Sequence, residues 1–233
     1  MQDGYRIEKK YVISLETAAL LRNRLAVFMK IDQQAVNGSY CIRSLYFDTP
    51  DADAFTEKEN GEQERCKFRL RYYNGDCSFI RLEQKEKTGD LTRKIQANVD
   101  DRIASEMLNG EYGKLRESEN PLLQMFYAEA KIKKLQPALT VDYRRVPLTY
   151  HLDNVRITID TEIYTGKADS FFHKGRPPLP VVGNGAAILE VKTDDRLPYM
   201  LGWILETIPR QQQSFSKYAL SFARLNATEN NDN

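Results

Sequence analysis

Cations recur at every second position along several β-like segments of this 233-residue chain. Side chains alternate across a strand, so Lys67, Arg69 and Arg71 share one face of residues 67–72, while Phe68, Leu70 and Tyr72 share the other. Residues 80–87 place Arg81, Glu83, Lys85 and Lys87 opposite Ile80 and Leu82. Arg6, Glu8 and Lys10 repeat the pattern near the start, and Ile188, Glu190 and Lys192 near the end, opposite Leu189 and Val191. In residues 155–163, Val155, Ile157, Ile159 and Ile163 oppose Arg156, Thr158, Asp160 and Glu162. One such strand is the solvated side of an ordinary antiparallel sheet. Five strands whose polar faces are mainly basic are not, because neighbouring like charges destabilise a sheet by up to about 1 kcal/mol per pair. The whole chain carries 34 basic and 33 acidic residues, net +1, so the cations are concentrated locally. Such a concentration predicts a bound anion, and a run of linked phosphates suits it: arginines grip phosphate oxygens bidentately and lysines act as point charges. Glu8, Glu83 and Glu190, the few carboxylates on these faces, read as ligands for Mg²⁺ or Mn²⁺ or as lysine partners.

The elements that must position these residues follow from periodicity and turn chemistry. Strands are expected at 5–13, 40–47, 64–73, 78–87, 91–99, 137–151, 154–164 and 186–193, with hairpin turns at Asn74-Gly75-Asp76 and Thr88-Gly89-Asp90. Helices are expected over 14–29, just after Asp51, and over 101–109, 120–133, 197–208 and 216–226. Residues 165–185 read as a Gly/Pro-rich loop. The expected fold class is α+β: if the antiparallel sheet closes into a β-barrel with its charged faces inward, they surround a tunnel, with helices packed outside. Residues 1–226 form a single domain and 227–233 a disordered polar tail.

Near-neutral charge excludes a global field for nucleic acid or anionic membrane, so no nucleic-acid partner is expected. The longest apolar stretches fall far short of the ~20 residues of a membrane span, and no signal peptide is visible. Cys41, Cys66 and Cys77 have neither disulfide nor zinc spacing, which fits reduced thiols and a cytoplasmic location. Only His151 and His173 are available, which weighs against a histidine-activated nucleophile.

Eight ordered segments resemble the triphosphate tunnel metalloenzymes, and within them the catalytic domain of the vacuolar transporter chaperone (VTC) polyphosphate polymerases. They are Glu8–Tyr11, Arg43–Thr49, Lys67–Arg71, Leu82–Lys85, Tyr143–Arg145, Val155–Glu162, Leu189–Lys192 and Phe215–Tyr218. The resemblance implies a tunnel of about eight strands that binds ATP or another nucleoside triphosphate and polyphosphate or pyrophosphate. It implies Lys10, Arg69, Arg71, Lys85, Arg145 and Arg156 as catalytic cations. Arg43, Lys67, Arg81, Arg93, Lys192 and Lys217 join as further phosphate-binding residues, with Lys94 an alternative to Arg93. Glu190, with Glu8 and Glu83, would hold Mn²⁺ or Mg²⁺. Two positions depart from the pattern. Arg6 stands where the wider superfamily has the first Glu of an ExExK motif, and Ser214 stands where a second lysine would accompany Lys217. The implied reaction is transfer of a γ-phosphate to a growing polyphosphate chain. Alternatives are hydrolysis of triphosphates in the same cavity and polyphosphate binding without turnover. A membrane partner that receives the product stays open.

Overall fold

The structure, a computed structural model, describes residues 4–183, 185–208, 211–212 and 215–230. Its strands are β1 (Arg6–Ser14), β2 (Lys30–Ile31), β3 (Tyr40–Asp48), β4 (Glu64–Tyr73), β5 (Asp76–Thr88), β6 (Leu91–Val99), β7 (Gln136–Tyr150), β8 (Val155–Lys167), β9 (Leu179–Pro180), β10 (Ala186–Thr193) and β11 (Gln211–Gln212). The α-helices are α1 (Leu15–Leu25), α2 (Asp53–Glu59), α3 (Asp101–Leu108), α4 (Pro121–Lys133), α5 (Tyr199–Glu206) and α6 (Lys217–Glu229).

Local chemistry sets these boundaries. Ser14 Oγ accepts from Thr17 N at 3.1 Å and Asp100 Oδ1 from Ile103 N at 2.7 Å, starting α1 and α3. Asn120 caps α4, whose first residue is Pro121. Asn74 and Gly75 both take positive φ (53° and 76°), the geometry of a tight two-residue hairpin loop. Helix α1 stops at Leu25 rather than 29 because the chain then turns to pair Lys30 and Ile31 with Thr149 and Leu148 of β7. Helix α6 continues to Glu229, so residues 227–229 are helical where a tail was expected; 231–233 lie outside the described residues.

Every strand pairing is antiparallel. In order around the wall run β7, β3, β4, β5, β6, β1, β10 and β8, and pairing of β8 with β7 closes the ring. The expected eight-stranded closed barrel is therefore present, with β2, β9 and β11 as short additions. The seams are unequal: β1 pairs with β10 over eight residues, Ile7 to Ser14, but with β6 only through Arg6↔Thr92 and Ile7↔Leu91.

The apolar faces point outward, as inferred from alternation. Phe68, Leu70, Tyr72, Ile80 and Leu82 pack under α3 and α4, and Ile157, Ile159, Leu189 and Val191 under α1 and α5. A third cluster lies on the inner face instead, where Ile42, Tyr46, Val141, Tyr143 and Ile188 meet Ala54 of α2, Tyr218 of α6 and Phe215 just before that helix. Alternation breaks within β8. Glu162 has φ 53°, and the β7–β8 register shifts between Asp142 and Arg144. Glu162 therefore leaves the face it was expected to share with Asp160 and pairs with Arg144 at 3.2 Å and with Arg176, both outside the cavity wall. Among the described residues no helix is long and apolar enough to cross a membrane.

Phe126 of α4 is fully buried against the rings of Phe47, Phe68 and Tyr112. Phe126→Ala should cost about 3–5 kcal/mol, read as a lower denaturant midpoint; an unchanged midpoint would mean that α4 does not anchor the wall.

Candidate functional site: a cationic tunnel

The barrel encloses a cavity of about 600 Å³. Among the described residues its lining includes sixteen lysines and arginines against three carboxylates, Glu8, Asp90 and Glu190. Nearly half of the chain's 34 cations thus face one space. Lys10, Lys67, Arg69, Arg71, Lys85, Arg93, Arg145, Arg156, Lys192 and Lys217 all lie there with Glu8 and Glu190, and Lys94 does too.

Three carboxylate-centred clusters hold the cations in place. In the first, Glu8 accepts from Lys85 Nζ at 2.7 and 2.8 Å and lies 2.9 Å from Lys10 Nζ and 3.5 Å from Lys192 Nζ. Glu190 is the less saturated of the two acids. Its Oε1 is buried 2.6 Å from Lys192 Nζ without hydrogen-bond geometry, and its Oε2 is 3.8 Å from Lys10 Nζ. Burial pushes both carboxyls up, and Glu190 adds to this at Glu8, but Lys10, Lys85 and Lys192, with Arg145 at Glu190, hold both well below the usual carboxylate range. Burial and the flanking cations drive Lys85 the other way, down to about 7, against the pull of Glu8.

In the second cluster Glu83 is wholly buried and receives Arg69 Nε at 2.9 Å and Nη2 at 2.7 Å, Arg71 Nη1 at 3.3 Å and Lys94 Nζ at 2.9 Å. In the third, Asp160 on β8, also fully buried, receives Arg145 at 2.6 and 2.7 Å and Lys217 at 2.6 Å. Ser216 caps α6, so the positive end of that helix, with Lys217, is turned to the cavity.

Three expectations are corrected by these placements. Arg43 faces the outside with Leu45 and Phe47, where it grips Asp142 at 2.9 and 3.1 Å and the carbonyls of His173, at 2.6 Å, and Gly175. It straps the 168–175 segment to the wall and does not line the cavity. Glu83 stands apart from Glu8 and Glu190: it is wholly buried behind Arg69, Arg71 and Lys94 and does not line the cavity. Arg81 shares the inner face of β5 but lies beyond the cavity lining, stacked 4.6 Å over Phe79. Ser214 lies outside the described residues.

Charge-based reading missed the tyrosines. Tyr40, Tyr46 and Tyr143 line the cavity and accept hydrogen bonds from Arg156 (2.6 Å), Arg69 (2.9 Å) and Arg71 (3.0 Å). The signal was available: Tyr143 is two residues from Arg145, on the same face. Asp160 was placed on the right face but not recognised as the counterion of two cations.

A family model described as the VTC domain matches residues 5–226. A search of curated proteins returned no match. Among solved structures, a putative adenylyl cyclase from Hippeastrum, described as having a dominant triphosphatase activity, superposes with a TM-score of 0.54 at 16% identity, covering 94% of each chain. A putative adenylate cyclase from Bacillus halodurans gives a TM-score of 0.51 at 14% identity, covering 82% of this chain and 83% of its own. At these identities the likeness is one of fold.

Lys67 Nζ has no hydrogen-bond partner among the described residues and sits 4.8 Å over the Tyr218 ring. Burial first, then Arg65 and Lys10, lower its pKa to about 8, despite Asp48 and Glu57. In the unfolded chain a lysine titrates at about 10.4. Keeping Lys67 charged therefore costs stability at every pH below about 8, and the cost fades as pH rises towards about 10.4. Lys67→Met should raise the melting temperature of the free protein at pH 7, with a gain that shrinks towards pH 10, while weakening tripolyphosphate binding. Thermal melts across pH check this, and a variant that melts lower at pH 7 would refute it.

Proposed function

Because the chain belongs to the VTC-domain family, we propose that it is a metal-dependent phosphotransferase that moves the γ-phosphate of a nucleoside triphosphate such as ATP onto a growing polyphosphate chain. The observation that carries this reading is the excess of cations over carboxylates in the cavity, far more than one triphosphate's few charges can offset. A longer polyanion matches it. The free cysteines Cys41, Cys66 and Cys77 fit a reducing, cytoplasmic setting.

Phosphoryl transfer asks a protein mainly for alignment and charge neutralisation. A terminal oxygen of the polyphosphate attacks the γ-phosphorus, the bond from that phosphorus to the β-phosphate bridging oxygen breaks, and the nucleoside diphosphate leaves with the electron pair. Arg69, Arg71 and Arg145, braced by Glu83 and Asp160, present fixed charge to the phosphate oxygens without reorganising. Lys10 and Lys192 do the same around Glu8 and Glu190, and Lys85 adds a hydrogen-bond donor beside them.

Among the described residues no three His, Cys, Asp or Glu side chains are grouped to hold a metal by themselves. The donors still fit a Mg²⁺ or Mn²⁺ that takes the rest of its shell from phosphates and water, with Glu190, whose Oε1 lacks a hydrogen bond, as its main ligand and Glu8 beside it. Such an ion would supply charge neutralisation at the phosphate oxygens. Hydrolysis, the activity named for the Hippeastrum neighbour, would use the same cavity with water as acceptor.

Incubation with ATP and Mn²⁺ separates the possibilities. Long phosphate chains on a stained gel together with ADP are expected; free phosphate without chains would make the protein a hydrolase, and neither product would make it a binder. Glu190→Gln should lower metal-dependent turnover about 100-fold or more with the melting temperature retained, and unchanged turnover would remove Glu190 from the metal site.

A further inference from the structure

On the inner face of β3, Tyr46 is 6% exposed, with its side chain in the cavity wall. Its phenol oxygen accepts a hydrogen bond from Arg69 Nη1 at 2.9 Å, and the same guanidinium lies 5.7 Å from the ring centroid. The phenol's own proton meets no acceptor among the described residues. Two other buried tyrosines place theirs: Tyr72 donates to the Phe171 carbonyl at 2.6 Å, and Tyr218 donates to Asp48, whereas Tyr112, in the outer apolar cluster, has an unpaired hydroxyl among the described residues. A hydroxyl at the cavity wall without a protein acceptor has its proton available to an acceptor held in the cavity.

The surroundings define what would complete it. Arg69 and Arg71 on β4, Lys217 on α6 and Lys10 on β1 all act on this phenol or feel it. Burial alone would push its pKa up, but Arg69, Arg71 and Lys217 pull it below the usual tyrosine value. Arg69 is committed through all three nitrogens, Nε and Nη2 to Glu83 and Nη1 to Tyr46. Part of its charge therefore reaches the cavity through the phenol it polarises, since hydrogen bonds in series strengthen one another. A neutral donor also adds a contact without adding to the repulsion among the cations.

Resting on the phosphotransferase reading above, we infer that Tyr46 is a direct ligand of the bound phosphate chain, donating its phenol proton to a non-bridging phosphate oxygen at the end of a Glu83–Arg69–Tyr46 relay. The ligand class is an unesterified phosphate oxygen carrying negative charge, as in tripolyphosphate or the phosphate tail of a nucleotide. No bond is made or broken at Tyr46 in this role.

The test is a double-mutant cycle on the full chain, with tripolyphosphate as the probe and calorimetry as the readout. Tyr46→Phe should weaken binding about tenfold or more, the worth of one hydrogen bond to a charged group. The salt dependence of the affinity should stay the same, because no cation is removed. The loss should persist when Tyr46→Phe is made in the Arg69→Ala background. Unfolding midpoints of all four proteins, and repetition with Tyr46→Leu, separate a lost contact from a lost fold. Undiminished binding by Tyr46→Phe would overturn the assignment. A loss seen only when Arg69 is present would overturn it too, making Tyr46 a positioning residue for that arginine. Absence of tripolyphosphate binding by the parent protein would instead bring down the phosphotransferase reading and this assignment together.

Discussion

Mutual repulsion among cations gathered inside a closed wall is the constraint around which this molecule is organised. A barrel of ordinary polarity turns apolar side chains inward; here the inner face is charged, so the apolar faces must find cover outside. That is why α3 and α4 lie on one side of the ring and α1 and α5 on the other, each over a row of strand residues that would otherwise meet water. The helices thus serve the tunnel by removing the alternative of turning the strands over.

Counterions are rationed to match. Glu83 and Asp160 are sunk behind arginines, where they fix guanidinium directions while leaving the cavity surface positive. Glu8 and Glu190 reach the surface itself, side by side, and both remain ionised because lysines crowd them. Carboxylates therefore divide into those that brace and those that face the ligand, and burial behind a guanidinium is what separates the two.

Period-two alternation carried most of the fold and much of the site, because a wall with one apolar and one polar face leaves little freedom of register. Where the reading failed, the reasons are local. Arg43 was drawn in by a shared motif, although its parity with Leu45 and Phe47 already set it on the outer face. Glu162 was lost to a positive φ that no neighbouring residue type announces. Glu83 had the right face, but Arg69, Arg71 and Lys94 on the two neighbouring strands enclose it, which alternation along one strand does not reveal. The tyrosines escaped because they are neutral, and only the assembled wall shows arginines handing them hydrogen bonds.

The uneven seams bear on how the chain assembles. Strand β1 has two residue pairs with β6 but eight with β10, which begins at Ala186. Contacts that span most of the chain are slow to form because the loop they close must first lose its freedom. During synthesis β1 emerges before the other strands of the barrel and has no adequate partner until β10 has followed it. The meander β3 to β6 can form as a curved, open sheet whose cations still face water, and its closure into a ring waits on the final strand. The earliest-made strand of the barrel is thus among the last to be secured.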